Sequence, residues 1–362
     1  INSKIILSKL SIRYLIIGLL FMELINPILP DDSKTILDYP QTIKIKYYAS
    51  ITKLKAINSD YIPDKVFVNG ELASIDKNGF ILVDKEGYYD ITLQWDTKAE
   101  KYSKLFQNIA SAIEIDFVNF NITEIESIKS MFINCESLEF INFRNFDTSK
   151  VYDISSMFEG CKQLKTLDLS SFDMSNVKYM EYMFKNCQSL TSLNLKNFYT
   201  PILLRMQELF NGCKSLAYLD VSNFITKSVT NMSSIFKDCE SLTSLDITNF
   251  ETGKVNDMFE LFNNCLLLES LDLSNMDTSK VIDMGGMFGN CNSLTSLNVS
   301  NFVTSNVENM EFMFYSCKKL TSIDLTNFDT FEVMSMSYLF KDCKSLLSLD
   351  ISSFFQIGRA HV

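Results

Sequence analysis

Apolar residues recur along most of this chain with one fixed period of 26 residues. A phenylalanine stands three residues before each cysteine, and a leucine follows each cysteine by three. No insertion or deletion interrupts the spacing, so the pattern predicts one supersecondary unit repeated as a solenoid, in which each coil buries its apolar face on its neighbours. The nine cysteines that mark the period are Cys135, Cys161, Cys187, Cys213, Cys239, Cys265, Cys291, Cys317 and Cys343.

The first part of each repeat has the pattern of a short strand. In the repeat after Cys161, Leu164 is followed by Leu167 and Leu169, which gives the spacing L-x-x-L-x-L of a leucine-rich repeat strand. Successive strand side chains point to opposite faces, so the residues between these leucines are expected to face outward.

The second part of each repeat has the pattern of a short helix. Val177, Met180, Met183 and Phe184 form one apolar stripe of a 3.6-residue period. Serines ahead of the stripe are candidate N-caps, namely Ser149, Ser175, Ser279 and Ser305. The residue before each cysteine is Gly, Asn, Asp or Ser, which predicts a left-handed residue at the helix C-terminus. This column contains Asn134, Gly160, Asn186, Gly212, Asp238, Asn264, Asn290, Ser316 and Asp342.

The segment ahead of the repeats has a different period. Ile43, Ile45 and Tyr47 alternate with polar residues, and Asn69-Gly70 is typical of a tight hairpin. We expect residues 36–100 to form a small antiparallel β domain that caps the first coil, with Trp95 in its core. The predicted fold class is therefore an α/β solenoid. About nine to ten strand-turn-helix coils span residues 101–354, and a degenerate opening coil has Ile109 in place of cysteine.

Repeats such as MFKNCQSLTSLNLKNF, residues 183–198, resemble the 26-residue leucine-rich repeat of BspA-like surface proteins. The resemblance covers the chain from about Leu105 to Phe354. It implies a secreted or cell-surface protein of adhesion or interaction type, without a shared catalytic site. Fold alone does not fix function, so this implication is an expectation.

The two ends of the chain carry further signals. A basic flank and an apolar run at residues 14–25 indicate that residues 1–35 are a secretion signal or, alternatively, a membrane anchor or a buried helix. Contact with a membrane is expected only through this segment. Residues 355–362 match neither the repeat nor a polar cap, and we expect them to be a non-native tail.

Catalytic chemistry has little support in the sequence. His361, in that tail, is the single histidine, so no Ser-His or Cys-His pair and no histidine metal ligand is available. No glycine-rich phosphate loop follows a strand. The sequence therefore predicts that the chain is not an enzyme, has no catalytic residues and no cofactor, and has no dedicated metal site.

The cysteines are expected to be structural. Their number, nine, is odd and no C-x-x-C occurs. Neighbouring helices would sit about 10 Å apart, too far for a disulfide or a shared zinc ion. Each cysteine is therefore predicted to be a small buried apolar residue in the core.

One outward column of the strands is a candidate binding surface. Its carboxylates, when stacked, repel one another unless something compensates them. Local hydrogen bonds from Ser, Thr and turn N–H groups can do so, and the alternative is an acidic face that binds a basic protein surface or a divalent cation. The candidate residues are Asp168, Asn194, Asp220, Asp246, Asp272, Asn298, Asp324 and Asp350.

The net charge limits the classes of partner that the chain is expected to bind. At −11, the chain is a poor nucleic-acid binder, and a protein or glycan ligand is favoured. The leading hypothesis is an adhesion or interaction module that binds through the strand face, and the second is a structural wall or matrix component. Ice or mineral binding by the threonines at Thr200, Thr226 and their equivalents is a third, weaker hypothesis.

Overall fold

The computed structural model describes residues 40–97, 102–143 and 146–354. Outside the described residues lie the whole predicted signal or anchor segment, 1–35, with its apolar run at 14–25, and the first residues of the predicted β domain, 36–39. The predicted tail, 355–362, with His361, lies outside them as well. Within the described ranges, no helix is long and apolar enough to cross a membrane.

The N-terminal part is a β-sheet, as the alternating pattern predicts. Six strands follow one another across it in the order β4-β3-β6-β1-β7-β8. All neighbouring pairs are antiparallel except β7 and β8, which are parallel. The strands of this sheet are β1 (Gln41–Ala49), β3 (Lys65–Val68), β4 (Glu71–Ala73), β6 (Gly87–Trp95), β7 (Ala112–Asn119) and β8 (Phe140–Asn142).

A second, two-stranded antiparallel sheet joins β2 (Lys53–Lys55) to β5 (Phe80–Leu82), and a 3-10 turn covers Ser59–Tyr61. The predicted hairpin at Asn69-Gly70 is confirmed. It connects β3 to β4, and both residues have positive φ, 51° and 87°. That conformation favours Asn and Gly and matches the right-handed twist of the two strands.

The predicted inward residues of the sheet form its core. Ile43, Ile45 and Tyr47 are all at most 2% exposed. Trp95 is also buried, its indole N–H donates to the Tyr61 carbonyl at 3.2 Å, and its ring packs edge-on against Phe120. Its polar atom therefore has a partner inside the fold, as a buried tryptophan requires.

The sheet continues directly into the repeats. Strand β7 pairs with β1 on one side and with β8, the strand of the first cysteine-containing repeat, on the other. Ile109 is fully buried, and its N–H bonds to the Phe106 carbonyl as the Cys135 N–H bonds to that of Phe132. The degenerate coil therefore has the backbone geometry of its successors and joins the two parts of the fold.

The stack of 26-residue coils is confirmed, but the helix predicted in each coil is wrong. No α-helix occurs in the described residues. The residue before each cysteine has positive φ as predicted, for example Asn186 at 60°. A second left-handed position lies four residues earlier, at Tyr182 (62°) and its equivalents, and left-handed residues at this spacing interrupt a helix. The proposed helix N-caps are likewise turn residues: Ser149 lies in a turn that the Val151 N–H closes on the Thr148 carbonyl.

A chain of turns replaces the helix. The N–H groups of Met183 and Cys187 bond to the carbonyls three residues before them, whereas those of Tyr182 and Phe184 bond to the next coil, 25 residues ahead. Turns within the coil and bonds between coils thus alternate along the backbone. In the described part of the stack, strands with a paired ladder remain on the other side in the opening coil, at β7, and in the three coils after it, at β8, β9 (Thr166–Asp168) and β10 (Ser192–Asn194).

Because backbone hydrogen bonds join the coils on both sides, the expected 10 Å separation is also wrong. The phenylalanines three residues before the cysteines stack from Phe106 to Phe340 with ring centroids 5.3–5.9 Å apart. These rings form a column through the core in which each ring packs on the next.

All nine cysteines are free thiols, and eight are buried, with Cys343 of the last described coil half-buried. Each thiol donates to the carbonyl of a phenylalanine in the preceding coil, as Cys213 does to Phe184 at 3.2 Å. That carbonyl also accepts the N–H of Cys187 in its own coil. Each phenylalanine carbonyl is thus an acceptor for two successive coils.

Buried threonines link the coils at another corner. The Thr226 hydroxyl donates to the Glu251 carbonyl at 3.0 Å and accepts the Glu251 N–H at 2.8 Å, so a side chain replaces one step of a backbone ladder. Thr200, Thr226 and Thr252 are at most 2% exposed. Ice or mineral binding through this column is therefore wrong, because the threonines do not reach the surface.

Removal of one threonine hydroxyl should destabilise the stack. Thr226→Val keeps the shape but leaves the Glu251 N–H and carbonyl without this partner, so we expect a loss of about 1–3 kcal/mol in the free energy of unfolding. Urea unfolding followed by circular dichroism measures it. Thr295→Val, at an exposed position, is the control and should change stability by less than about 0.5 kcal/mol. Equal effects of the two changes would contradict the role given to Thr226.

Thiol labelling tests the buried cysteine column. Burial raises the pKa of Cys135 and of Cys291 to about 12, and the reactive form is the thiolate. Native protein at pH 8 should therefore react rapidly at one thiol at most, that of Cys343, and at all nine only after unfolding. Cys343→Ser should remove the rapid phase, and rapid reaction of several thiols in the native protein would rule out the sealed core.

Candidate functional site

The candidate column on the strand face is exposed along the stack. We define the strand face as the positions five, seven and nine residues after each cysteine. All eight predicted residues at the seventh position, Asp168, Asn194, Asp220, Asp246, Asp272, Asn298, Asp324 and Asp350, are exposed. In most coils the apolar residues on either side of them point inward, as Leu167 and Leu169 do, whereas Leu349 and Ile351 beside Asp350 are exposed.

Local hydrogen bonds stabilise these side chains and so offset the repulsion between stacked carboxylates. Asp246 accepts the N–H of Thr248 at 3.0 Å and its hydroxyl at 2.7 Å, and Asp272 accepts the N–H of Ser274 at 2.9 Å. Asn194 adds a link between coils, because its amide donates to Asp168 at 3.0 Å. The side chain of the seventh position thus closes the turn that follows each strand segment.

These bonds favour the ionised carboxylates. Hydrogen bonds from the Ser222 hydroxyl and N–H lower the pKa of Asp220, although the neighbouring charge of Asp246 acts in the opposite direction. Bonds from Thr248 lower the pKa of Asp246 in the same way. The charges are consequently retained at neutral pH, on adjacent coils and facing solvent.

Three of the carboxylates line an open groove. It has a volume of about 430 Å³ and runs over the strand segments of three successive coils, from Tyr218 to Asp272. Asp220, Asp246 and Asp272 are among the residues that line it, together with Ser222, Ser244 and Ser270. Tyr218 stands at one end and is 70% exposed. The groove can accept positive groups or hydrogen-bond donors from a large ligand.

This arrangement is poorly suited to the chelation of a metal ion. In the described part of the chain, no three His, Cys, Asp or Glu side chains are grouped so that they could hold one. The strand-face carboxylates stand in a single row, one per coil, and each has one oxygen engaged by its own turn. A divalent cation would need several further oxygen ligands from water or from a partner.

An asparagine column lies beside this face and was not predicted from the sequence. The amide of Asn249 donates to the carbonyls of Val221, Ser222 and Phe224 in the preceding coil, at 3.1–3.2 Å. Asn275 bonds in a similar way to the Thr248 carbonyl at 2.9 Å. The signal was present in the sequence, because an asparagine precedes the phenylalanine that follows most strands. These residues hold the edge of the groove in place.

A pair of acidic residues on the turn side of the coils was not predicted from the sequence either. Asp257 and Asp283 occupy the same position in adjacent coils, and each accepts a side-chain amide at 2.9 Å, from Asn231 and Asn309 respectively. Burial raises the pKa of Asp257, with the charge of Asp283 adding to the effect. The amide groups of the two flanking asparagines thus stabilise the two carboxylates by hydrogen bonds within the fold.

Comparison with known proteins identifies a family. The crystal structure titled "Crystal structure of TLR13-ssRNA13 complex" is similar over 69% of this chain, at 14% identity and a TM-score of 0.26, and this chain spans 45% of that protein. No curated protein is similar enough to count as a relative. The family described as "Mycoplasma protein of unknown function, DUF285" matches residues 100–215, 190–294 and 267–357, which together are more than half of the 362 residues. The chain therefore belongs to the DUF285 family.

Proposed function

We propose that this chain is a secreted or cell-surface interaction module, related to BspA-like surface proteins, that binds a protein or glycan ligand through its strand face. The groove over Asp220, Asp246 and Asp272 is the observation that supports it. The ligand that best fits presents positive charge or several hydrogen-bond donors, and no catalytic step is part of the proposal.

The charge pattern supports a basic partner. From Tyr218 to Ser352, no strand-face position holds Lys or Arg, whereas Lys196 occupies one in an earlier coil. The row of carboxylates therefore meets no cation at the strand-face positions of these coils. A partner with Lys or Arg side chains would be steered to this surface, and salt would weaken the attraction.

Tyr218 gives the groove an aromatic anchor. The strand-face position that it occupies holds serine in the neighbouring coils, at Ser192 and Ser244. Its ring is largely exposed, so folding gains little from its size. Tyrosine is enriched among residues that contribute most to binding, and it can also pack on the apolar face of a sugar.

A structural wall or matrix component is the alternative function. A rod built from uniform coils can associate laterally without a specific ligand. Such a component would show self-association but no saturable binding that strand-face changes weaken.

Binding arrays with strand-face variants test the proposal. The full chain is applied to glycan and protein arrays, and the best ligand is then titrated against wild type and the triple variant D220N/D246N/D272N. Asparagine occupies this position at Asn194 and Asn298, so the fold should tolerate the change. We expect at least a tenfold loss of affinity from the removal of three charges, and a separate loss for Tyr218→Ser.

The control is Asp324→Asn, which changes the same column outside the groove and should leave affinity nearly unchanged. Unaltered binding by the triple variant, or an absence of any saturable ligand, would count against the strand face.

Calcium at millimolar concentration tests whether a cation takes part in binding. A calcium-dependent gain in affinity or melting temperature that the triple variant lacks would add a metal ion to the site. No shift in either quantity would exclude the metal ion.

A further inference from the structure

One coil departs from its neighbours at the surface. In the coil of residues 188–213, Tyr199, Ile202 and Leu204 stand 12, 15 and 17 residues after Cys187. Among the described coils, only this one is apolar at all three positions, where others have residues such as Asp173, Lys254 and Asn256. The three side chains are 56%, 40% and 39% exposed, so burial within the fold does not account for them.

Two tyrosines of the preceding coils lie near this apolar surface: Tyr179 bridges to Arg205, the residue after Leu204, and Tyr152 stands one coil further away, with Lys178 between it and Leu204. The Lys178 N–H bonds to the Tyr152 carbonyl and the Leu204 N–H bonds to the Lys178 carbonyl, both at 2.9 Å, which places the three residues side by side. The rings of Tyr152 and Tyr179 meet edge to face, with centroids 6.3 Å apart. We call Tyr152, Tyr179, Tyr199, Ile202 and Leu204 the Tyr199 patch.

Charges of both signs surround the Tyr199 patch. Lys178 lies 6.0 Å over the ring of Tyr152, and the guanidinium of Arg205 lies 5.4 Å over that of Tyr179. Asp153 and Asp173 are acidic residues in the same coil positions as Tyr179 and Tyr199, and Glu181 pairs with Arg205 at 3.9 Å within the chain. A surface with both signs around an apolar centre is complementary to itself, whereas a strongly acidic or basic partner would meet repulsion from half of the charges.

We propose that the Tyr199 patch pairs with the same patch of a second copy of this chain in a two-fold symmetric dimer. In such a dimer the two apolar centres face each other, and the cations of one copy face the carboxylates of the other. Tyrosine and arginine are the residue types that contribute most at interface centres. The patch consists of five residues, fewer than in a standard interface, so the dimer is a weak one.

The proposed dimer is separate from the strand-face proposal. None of the five residues of the Tyr199 patch lines the acidic groove. Pairing through this patch therefore leaves both grooves available, and two copies joined in this way bind a surface that presents repeated ligands more tightly than one.

Sedimentation equilibrium of the full chain tests the dimer directly. We expect the apparent mass to rise with concentration toward twice the monomer mass of 41.5 kDa, with a dissociation constant in the range of roughly 10–1,000 µM. The triple variant Y199D/I202K/L204T introduces residues that other coils carry at the same positions, and it should weaken association at least tenfold while its circular dichroism and melting temperature stay unchanged.

The matched control is I282T/V303D/M334T, which removes three exposed apolar side chains at equivalent positions on other coils. This control should associate like wild type. A wild-type chain that remains monomeric up to about 1 mM, a triple variant that still dimerises, or a control that loses association equally would overturn the proposal. Array binding by Y199D/I202K/L204T distinguishes the two proposals, because loss of the dimer alone leaves monomer binding at the groove intact.

Discussion

The structure depends on hydrogen bonds between successive coils, and the phenylalanine carbonyls show how closely these bonds constrain the sequence. The carbonyl of Phe184 accepts the N–H of Cys187 in its own coil and the thiol of Cys213 in the next. The second donor must be short, fully buried and largely apolar, which describes a cysteine side chain. The same sulfur is fully buried in the core, which also holds the column of phenylalanine rings with centroids 5.5–5.9 Å apart. Cysteine therefore recurs because packing and hydrogen bonding at this corner require it together.

Much of the stack could be predicted from the sequence, whereas the local backbone of its second half could not. The period, the buried columns and the left-handed residue before each cysteine follow from spacing and residue type alone. The helix did not form although Val177, Met180 and Met183 recur every three residues, because a series of three-residue turns places its corner residues inward with the same spacing. The discriminating feature is the second left-handed position, and there the sequence is uninformative: it holds Tyr182, Glu208 and Phe312, which do not mark positive φ.

The strand face shows a second kind of feature that the sequence alone did not reveal. Its acidic column was predictable by position, but the carboxylates proved to serve their own turns, since Asp246 bonds to Thr248 and Asp272 to Ser274. Uniformity of a column across coils thus has a structural cause and is a weak indicator of binding by itself. The groove differs from the rest of the strand face in two ways: three aspartates follow one another without an asparagine between them, and Tyr218 stands where serine is usual.

A general constraint connects both proposed surfaces. Residues that bond to a neighbouring coil, such as Thr226 and Asn249, cannot change without loss of stability, because their partners would remain unsatisfied. Variation is tolerated where a side chain projects into solvent, as at Tyr218 and Tyr199, which are 70% and 56% exposed. In a solenoid of nearly identical coils, recognition of a partner must therefore come from the few outward positions at which one coil differs from those beside it. The acidic groove and the Tyr199 patch are both surfaces of this kind.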